Sequence, residues 1–275
     1  MTSTMLESSD GTAIHTVHSP ATDKSKAHVL ICHGANEHIG RYPHVIEALN
    51  AAGYTVTGMD LRGHGQSSGK RGHVLRWEHY SEDIRVVAQS VNAPIFLLGH
   101  SMGGLSMLEV LREGINGVDV KGVMVSNPLL ALSFTPPRIK TAFARMLSVT
   151  TPGLLLDNEL NPDHLSRDAE MNAAYVADPL VTSKLSPRWF TEMKLATQRV
   201  QGAAKSYTAP LLLMQGSADP ITCVDTAREF YEQYTGPKTL QSHQDLYHEI
   251  FNELEREDVI AQMITWLDEQ VAGTQ

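Results

Sequence analysis

The chain has 275 residues, 42% hydrophobic and 19% charged, which is enough apolar content for a well-buried core and excludes a disordered protein. Lys and Arg total 22 against 31 Asp and Glu; this formal net charge of -9, with no basic stripe to reverse it, argues against nucleic acid as a partner. Cys32 and Cys223 form no C-x-x-C pair, the start MTSTMLESSDGT lacks a signal peptide's basic and apolar regions, and no apolar run approaches the ~18–20 residues of a membrane span. A soluble cytoplasmic protein with free thiols is expected.

Residues 11–18 (GTAIHTVH) alternate in polarity and predict an edge hairpin arm. The apolar run 27–32 (AHVLIC) predicts a strand ending at His33-Gly34. Residues 43–52 then read as a helix closed by Gly53, 54–60 as a strand and 77–91 as a helix with Trp77, Tyr80, Ile84, Val87 and Val91 on one face. A buried strand at 95–98 leads into a helix near 103–113, and 122–126 is another strand. The last third predicts a strand at 210–215, a helix at 223–234, a strand at 238–242 and a final helix at 255–271. Wholly apolar strands alternating with helices predict a mostly parallel sheet covered on both faces. The alternation breaks over 129–190, where Pro136-Pro137, Pro152-Gly153, Asn161-Pro162 and Asp178-Pro179 interrupt two short amphipathic pieces, 138–147 and 168–176. That stretch is expected to be an insertion above the sheet, with 1–128 and 191–275 forming the core.

Gly99-His-Ser101-Met-Gly103 stands where the strand 95–98 must turn into a helix. Bulk two residues either side of the serine would collide in so sharp a turn, so G-x-S-x-G in this setting predicts a nucleophile elbow with the Ser101 hydroxyl raised at the carboxyl edge of the sheet. A serine needs a base, and the base an orienting acid. Asp219 follows the strand PLLLMQ in GSADP, and His248 follows KTLQS in LYHEIFNE, so both reach the same edge. Asp225 and Asp245 compete as the acid; Asp219 is preferred because it follows a strand end, whereas Asp225 lies inside a predicted helix. The oxyanion donors are expected to be the backbone N–H groups of Met102 and, in HGANEH, Ala35.

Together HGANEHIGRY (33–42), MDLRGHGQSSGKRG (59–72), GHSMGG (99–104), LSRDAEMNAAYVADPLV (165–181), QGSADPIT (215–222) and YHEIFNE (247–253) resemble the monoacylglycerol lipase group of serine hydrolases, from about residue 10 to 270. The resemblance implies an α/β-hydrolase fold with a helical cap over 129–190, the triad Ser101, Asp219 and His248, an oxyanion hole of Ala35 and Met102, and no cofactor or metal. It also implies that Glu37, Arg41, His100 and Tyr175 lie by the head-group pocket. The cap of such enzymes is an apolar lid that can dock on membranes; here the insertion carries Leu129, Leu130, Phe134, Ile139, Phe143, Met146, Leu147 and Leu154–Leu156, which suggests an oily underside.

Three positions depart from the group's pattern: Asn36 for the second glycine of the oxyanion loop, Asp245 for a glycine before the catalytic histidine, and Phe251 for a histidine one turn after it. The glycine-rich loop 63–69 has the loose spacing of a dinucleotide fingerprint but opens no helix, and the 13 histidines include no H-E-x-x-H. The expected activity is hydrolysis of a monoacylglycerol to glycerol and fatty acid through an acyl-enzyme. A lysophospholipid or short-chain ester is the alternative substrate. A non-catalytic binding protein of this fold would ordinarily lack the serine or the histidine.

Overall fold

A computed structural model describes residues 1–273. Eight strands form one sheet in the spatial order β1 (Thr2–Glu7), β2 (Ala13–Ser19), β4 (Tyr54–Met59), β3 (Ala27–Cys32), β5 (Ile95–His100), β6 (Val120–Ser126), β9 (Leu211–Gly216), β10 (Lys238–His243). The first two strands are antiparallel and form the hairpin arm; all pairs from β4 to β10 are parallel. This is the α/β-hydrolase architecture.

The parallel strands are apolar throughout because both faces are covered. Leu30, Cys32, Ile95 and Leu97 point to one face, where they meet Trp77, Tyr80 and Ile84 of α2 (Glu78–Ser90), Leu105 and Leu108 of α3 (Met102–Glu113), and Phe230 of α7 (Val224–Gln233). Val29, Ile31, Phe96 and Leu98 point to the other, against Val45, Ile46 and Leu49 of α1 (Pro43–Ala51) and Val259, Met263 and Trp266 of α8 (Arg256–Ala272). Full burial of each such side chain stabilises the fold by about 1.5–3 kcal/mol.

Between β6 and β9 run α4 (Arg138–Thr150), a two-residue antiparallel ribbon of β7 (Leu156–Asp157) with β8 (Lys184–Leu185), α5 (Ala169–Ala177) and α6 (Pro187–Gly202). The helix α6 crosses the boundary expected at 190. Ser186 caps it by accepting from the Trp189 N–H at 3.1 Å, Pro187 occupies its first turn, and Trp189, Met193, Ala196 and Val200 join the core beside α3. The apolar residues of α4 do not form a hidden underside: Ile139, Phe143, Met146 and Val149 are exposed, as are Phe134, Leu154 and Leu156. The opposite face of α4 is held to α6 by the Ser148–Thr191 hydroxyl pair at 2.8 Å. Among the described residues no helix is long and apolar enough to cross a membrane, and Cys32 and Cys223 are unpaired.

Candidate active site

The strand β5 ends at His100, and Ser101 takes φ 51° and ψ -113°, a strained conformation for a residue with a side chain. Such a turn brings backbone against backbone. A Cβ on Gly99 would lie 2.6 Å from the carbonyl of Gly103, and one on Gly103 would lie 2.3 Å from the carbonyl oxygen of Cys32. No side chain fits either place. Ser101 stands at the N-cap of α3, yet its hydroxyl makes no capping bond and remains available for chemistry.

Asp219 lies just beyond β9 and His248 beyond β10, so the parallel register delivers both to the edge where β5 delivers Ser101. His248 Nδ1 is 2.9 Å from Asp219 Oδ2. Four further donors hold the carboxylate: the Ile221 N–H at 2.8 Å and the Thr222 N–H at 3.1 Å on Oδ1, and Asn127 Nδ2 at 2.6 Å and the Thr222 hydroxyl on Oδ2. Burial alone would raise the Asp219 carboxyl, but His248 and these hydrogen bonds hold it well below the usual carboxylate range. Burial, the largest single influence, would lower the His248 imidazole; the Asp219 carboxylate, with Glu249 and Glu37 adding to it, more than offsets burial and raises the value above the ordinary one. Of the competing acids, Asp225 sits in the first turn of α7 and Asp245 in the turn before His248 at φ 61°.

The loop expected to carry the oxyanion donor Ala35 reaches the same point. A Cβ on Gly34 would lie 3.3 Å from the Ser101 Cβ and 3.0 Å from the His100 ring, so the backbone at Gly34, the residue before Ala35, packs closely against the serine. Among the described residues, neither the Ala35 N–H nor the Met102 N–H has a protein acceptor. Asn36 has φ 65°, the left-handed geometry a glycine would take and Asn tolerates, and its carbonyl accepts from the Thr182 N–H at 3.3 Å. The loop is braced from behind by Asp60, which accepts from the Ile39 N–H at 2.8 Å, and by His33, which accepts from the Leu61 N–H at 3.1 Å. The glycine-rich loop serves this purpose: Gly65 packs where a Cβ would lie 2.2 Å from the Asp60 carboxylate.

The four residues expected at the head group separate into two arrangements. His100 is buried, its ring 4.8 Å from that of His248, and burial with that neighbour pushes its pKa down to about 4. Glu37, Arg41 and Tyr175 gather into one cluster. Arg41 donates to Glu37 Oε2 at 2.7 Å, and the Tyr175 ring covers its guanidinium at 4.8 Å. Burial would raise the Glu37 carboxyl, but Arg41, with His100 and His33 behind it, holds it down to about 2. Phe251 packs into the core beside α8 and offers its carbonyl to His44 at 2.7 Å. Three partners escaped the sequence reading: Asn127, Thr222 and Glu249. Asn127 follows the end of β6, a position at the ligand edge that could have been flagged; the other two carry no such signal.

A family profile described as serine aminopeptidase, S33 matches residues 23–255. The chain is 33% identical over 261 residues to a monoacylglycerol lipase of Mycolicibacterium smegmatis, covering 92% of each chain. It is 31% identical over 254 residues to phospholipase YtpA of Bacillus subtilis, covering 90% of this chain and 98% of that one. The crystal structure of a monoacylglycerol lipase from Paleococcus ferrophilus superposes with a TM-score of 0.87 at 33% identity, covering 94% of this chain and 99% of that one.

Proposed function

The chain belongs to the serine aminopeptidase S33 family of hydrolases, and from that premise we propose that it is a serine ester hydrolase cleaving monoacylglycerol to glycerol and a free fatty acid. The observation that carries the reading is the His248–Asp219 pair at 2.9 Å, delivered to the edge that holds Ser101 at a strained elbow. Relatives named as monoacylglycerol lipases over nearly the whole chain support the substrate.

Ser101 Oγ attacks the ester carbonyl while His248 Nε2 takes its proton. The Ala35 and Met102 N–H groups hold the resulting oxyanion, each such donor contributing about 2.7–4 kcal/mol to the barrier reduction. The tetrahedral intermediate collapses, His248 returns the proton to the leaving glycerol oxygen, and the acyl group stays on Ser101. Water, deprotonated by His248, then releases the fatty acid by the same route. Asp219 stays ionised throughout, fixes the tautomer and stabilises the imidazolium. The chemistry uses no cofactor.

The test is fatty-acid release from 1-monolauroylglycerol beside a short-chain nitrophenyl ester and lauroyl lysophosphatidylcholine. The proposal expects kcat/KM to be highest for the monoacylglycerol by tenfold or more. A preference for the lysophospholipid would move the chain toward the phospholipase relative; turnover of the nitrophenyl ester alone would leave the triad and refute the lipid substrate.

Residues 129–190 are proposed to act as a cap that touches lipid surfaces. Ile139, Phe143, Met146 and Val149 form one exposed stripe on α4, an apolar surface to bury against lipid. The double substitution Ile139→Asp, Phe143→Asp is expected to weaken binding to neutral phosphatidylcholine vesicles about tenfold or more, since each side chain contributes about 1.5–3 kcal/mol when buried. Hydrolysis of the soluble nitrophenyl ester should stay unchanged. Cosedimentation that is indifferent to the substitution would rule out this face.

A further inference from the structure

Beside the triad lies a buried charge cluster that the reaction scheme leaves unused. Arg41 forms a two-pronged pair with Glu249, Nη1 to Oε1 at 2.6 Å and Nη2 to Oε2 at 2.7 Å, and its Nη1 also reaches Glu37 Oε2 at 2.7 Å. Glu249 is the residue after His248. The other oxygen of Glu37 accepts the Gly34 N–H at 2.6 Å and the Tyr42 hydroxyl at 2.7 Å. All three charged side chains are buried. A continuous path of short charge-assisted bonds therefore runs from the base, through Glu249, Arg41 and Glu37, to the backbone that carries Ala35.

We infer that Glu249 is a positioning residue: through Arg41 it fixes the loop bearing His248 relative to the oxyanion loop. The inference rests on the reading of His248 as base and Ala35 as oxyanion donor. The geometry favours it over simple anchoring of the histidine loop, because that loop has a separate anchor. Glu253 accepts the Tyr247 N–H at 2.7 Å and the Arg167 N–H and Nε at 3.1 Å each, tying the other side of His248 to residues 165–168. That tie does not reach the oxyanion loop; the Arg41 fork joins that loop directly to the residue after His248. A planar guanidinium gripping a carboxylate at two points fixes orientation as well as distance, which a point charge does not. The base must meet the serine proton within about 2.6–3.2 Å while the donors meet the oxyanion, and a misplacement near 1 Å costs about 10²-fold in rate.

The test uses a short-chain nitrophenyl ester, which has no glycerol, so that a lost head-group contact cannot imitate lost positioning. Rates are normalised to sites titrated with a fluorophosphonate, so that misfolded protein is not counted. Glu249→Gln keeps the shape and one acceptor but loses the charged fork; kcat should fall about 10- to 10²-fold with KM within about threefold. Glu249→Ala should fall at least as far. Arg41→Gln should match Glu249→Gln, and the double variant should lose no more than the worse single, because both act through one link. A Glu249→Gln kcat within twofold of wild type, a rise in KM alone, or losses that multiply in the double variant would each overturn the inference. A wild type inert toward the ester would overturn the hydrolase reading and this inference with it; an active wild type with an unimpaired Glu249→Gln overturns this inference alone.

Discussion

Replacing Ser101 by alanine is expected to lower kcat for every ester the chain cleaves by about 10⁴- to 10⁶-fold and to abolish labelling by a fluorophosphonate. The residual rate is what the oxyanion donors and substrate binding achieve without a nucleophile, about 10³–10⁴ over water. A second substitution adds a stability readout. Ser101 sits at φ 51° and ψ -113°, a region costing about 1–3 kcal/mol for a residue with a Cβ. Alanine keeps that Cβ and keeps the strain. Glycine removes it, offset by about 0.5–1 kcal/mol for the freedom it adds to the unfolded chain. Ser101→Gly should therefore be as inactive as Ser101→Ala yet more stable by about 1 kcal/mol, a Tm difference of about 2–4 °C for a chain of this size. Thermal unfolding of the two variants side by side measures it. An alanine variant retaining more than a few per cent of wild-type kcat would place the nucleophile elsewhere.

The elbow was legible because its requirement is steric and local. Two glycines must flank the serine where a strand meets a helix, and their absent Cβ atoms would fall within 2.3–2.6 Å of backbone. The Asn36 departure was legible for a similar reason: it takes φ 65°, and Asn is among the side chains that best replace glycine there. Asp245 also takes a positive φ, 61°, which the sequence reading did not anticipate. The helix α6 was also readable, since Trp189, Met193, Ala196 and Val200 repeat at helical spacing behind a Ser186-Pro187 cap; a boundary at 190 cut it. The strand β1 gave almost no signal, because it lies at the sheet edge, is almost wholly exposed and pairs only with β2. The Glu249–Arg41 fork spans 208 residues. Among 22 cations and 31 anions, sequence alone offers too many pairings to single it out. What a single sequence withholds is thus the long-range electrostatics, while close-approach and periodicity constraints can be read directly.

Asp219→Asn should cost about 10⁴-fold in kcat with the fold intact, because the site dictates which way the amide must turn. The carboxylate accepts at both oxygens. Oδ1 faces the backbone N–H groups of Ile221 and Thr222, which cannot become acceptors; Oδ2 faces His248 Nδ1, Asn127 Nδ2 and the Thr222 hydroxyl. An asparagine must give its oxygen to the backbone pair, which aims its NH₂ at His248. The imidazole then accepts at Nδ1 and carries its proton on Nε2, where it cannot take one from Ser101. The pH profile should move as well. In the wild type the carboxylates facing His248, Asp219 foremost with Glu249 and Glu37, together more than offset burial and raise it above its ordinary value, so kcat/KM falls as pH drops through that raised value and His248 protonates. Without the carboxylate, burial dominates, the imidazole pKa falls, and the acid limb of the much reduced rate should shift to lower pH. A rate–pH profile for the two proteins, together with their unfolding curves, separates this from a folding defect: a variant with wild-type kcat, or one whose acid limb stays in place, would mean that another group orients the base.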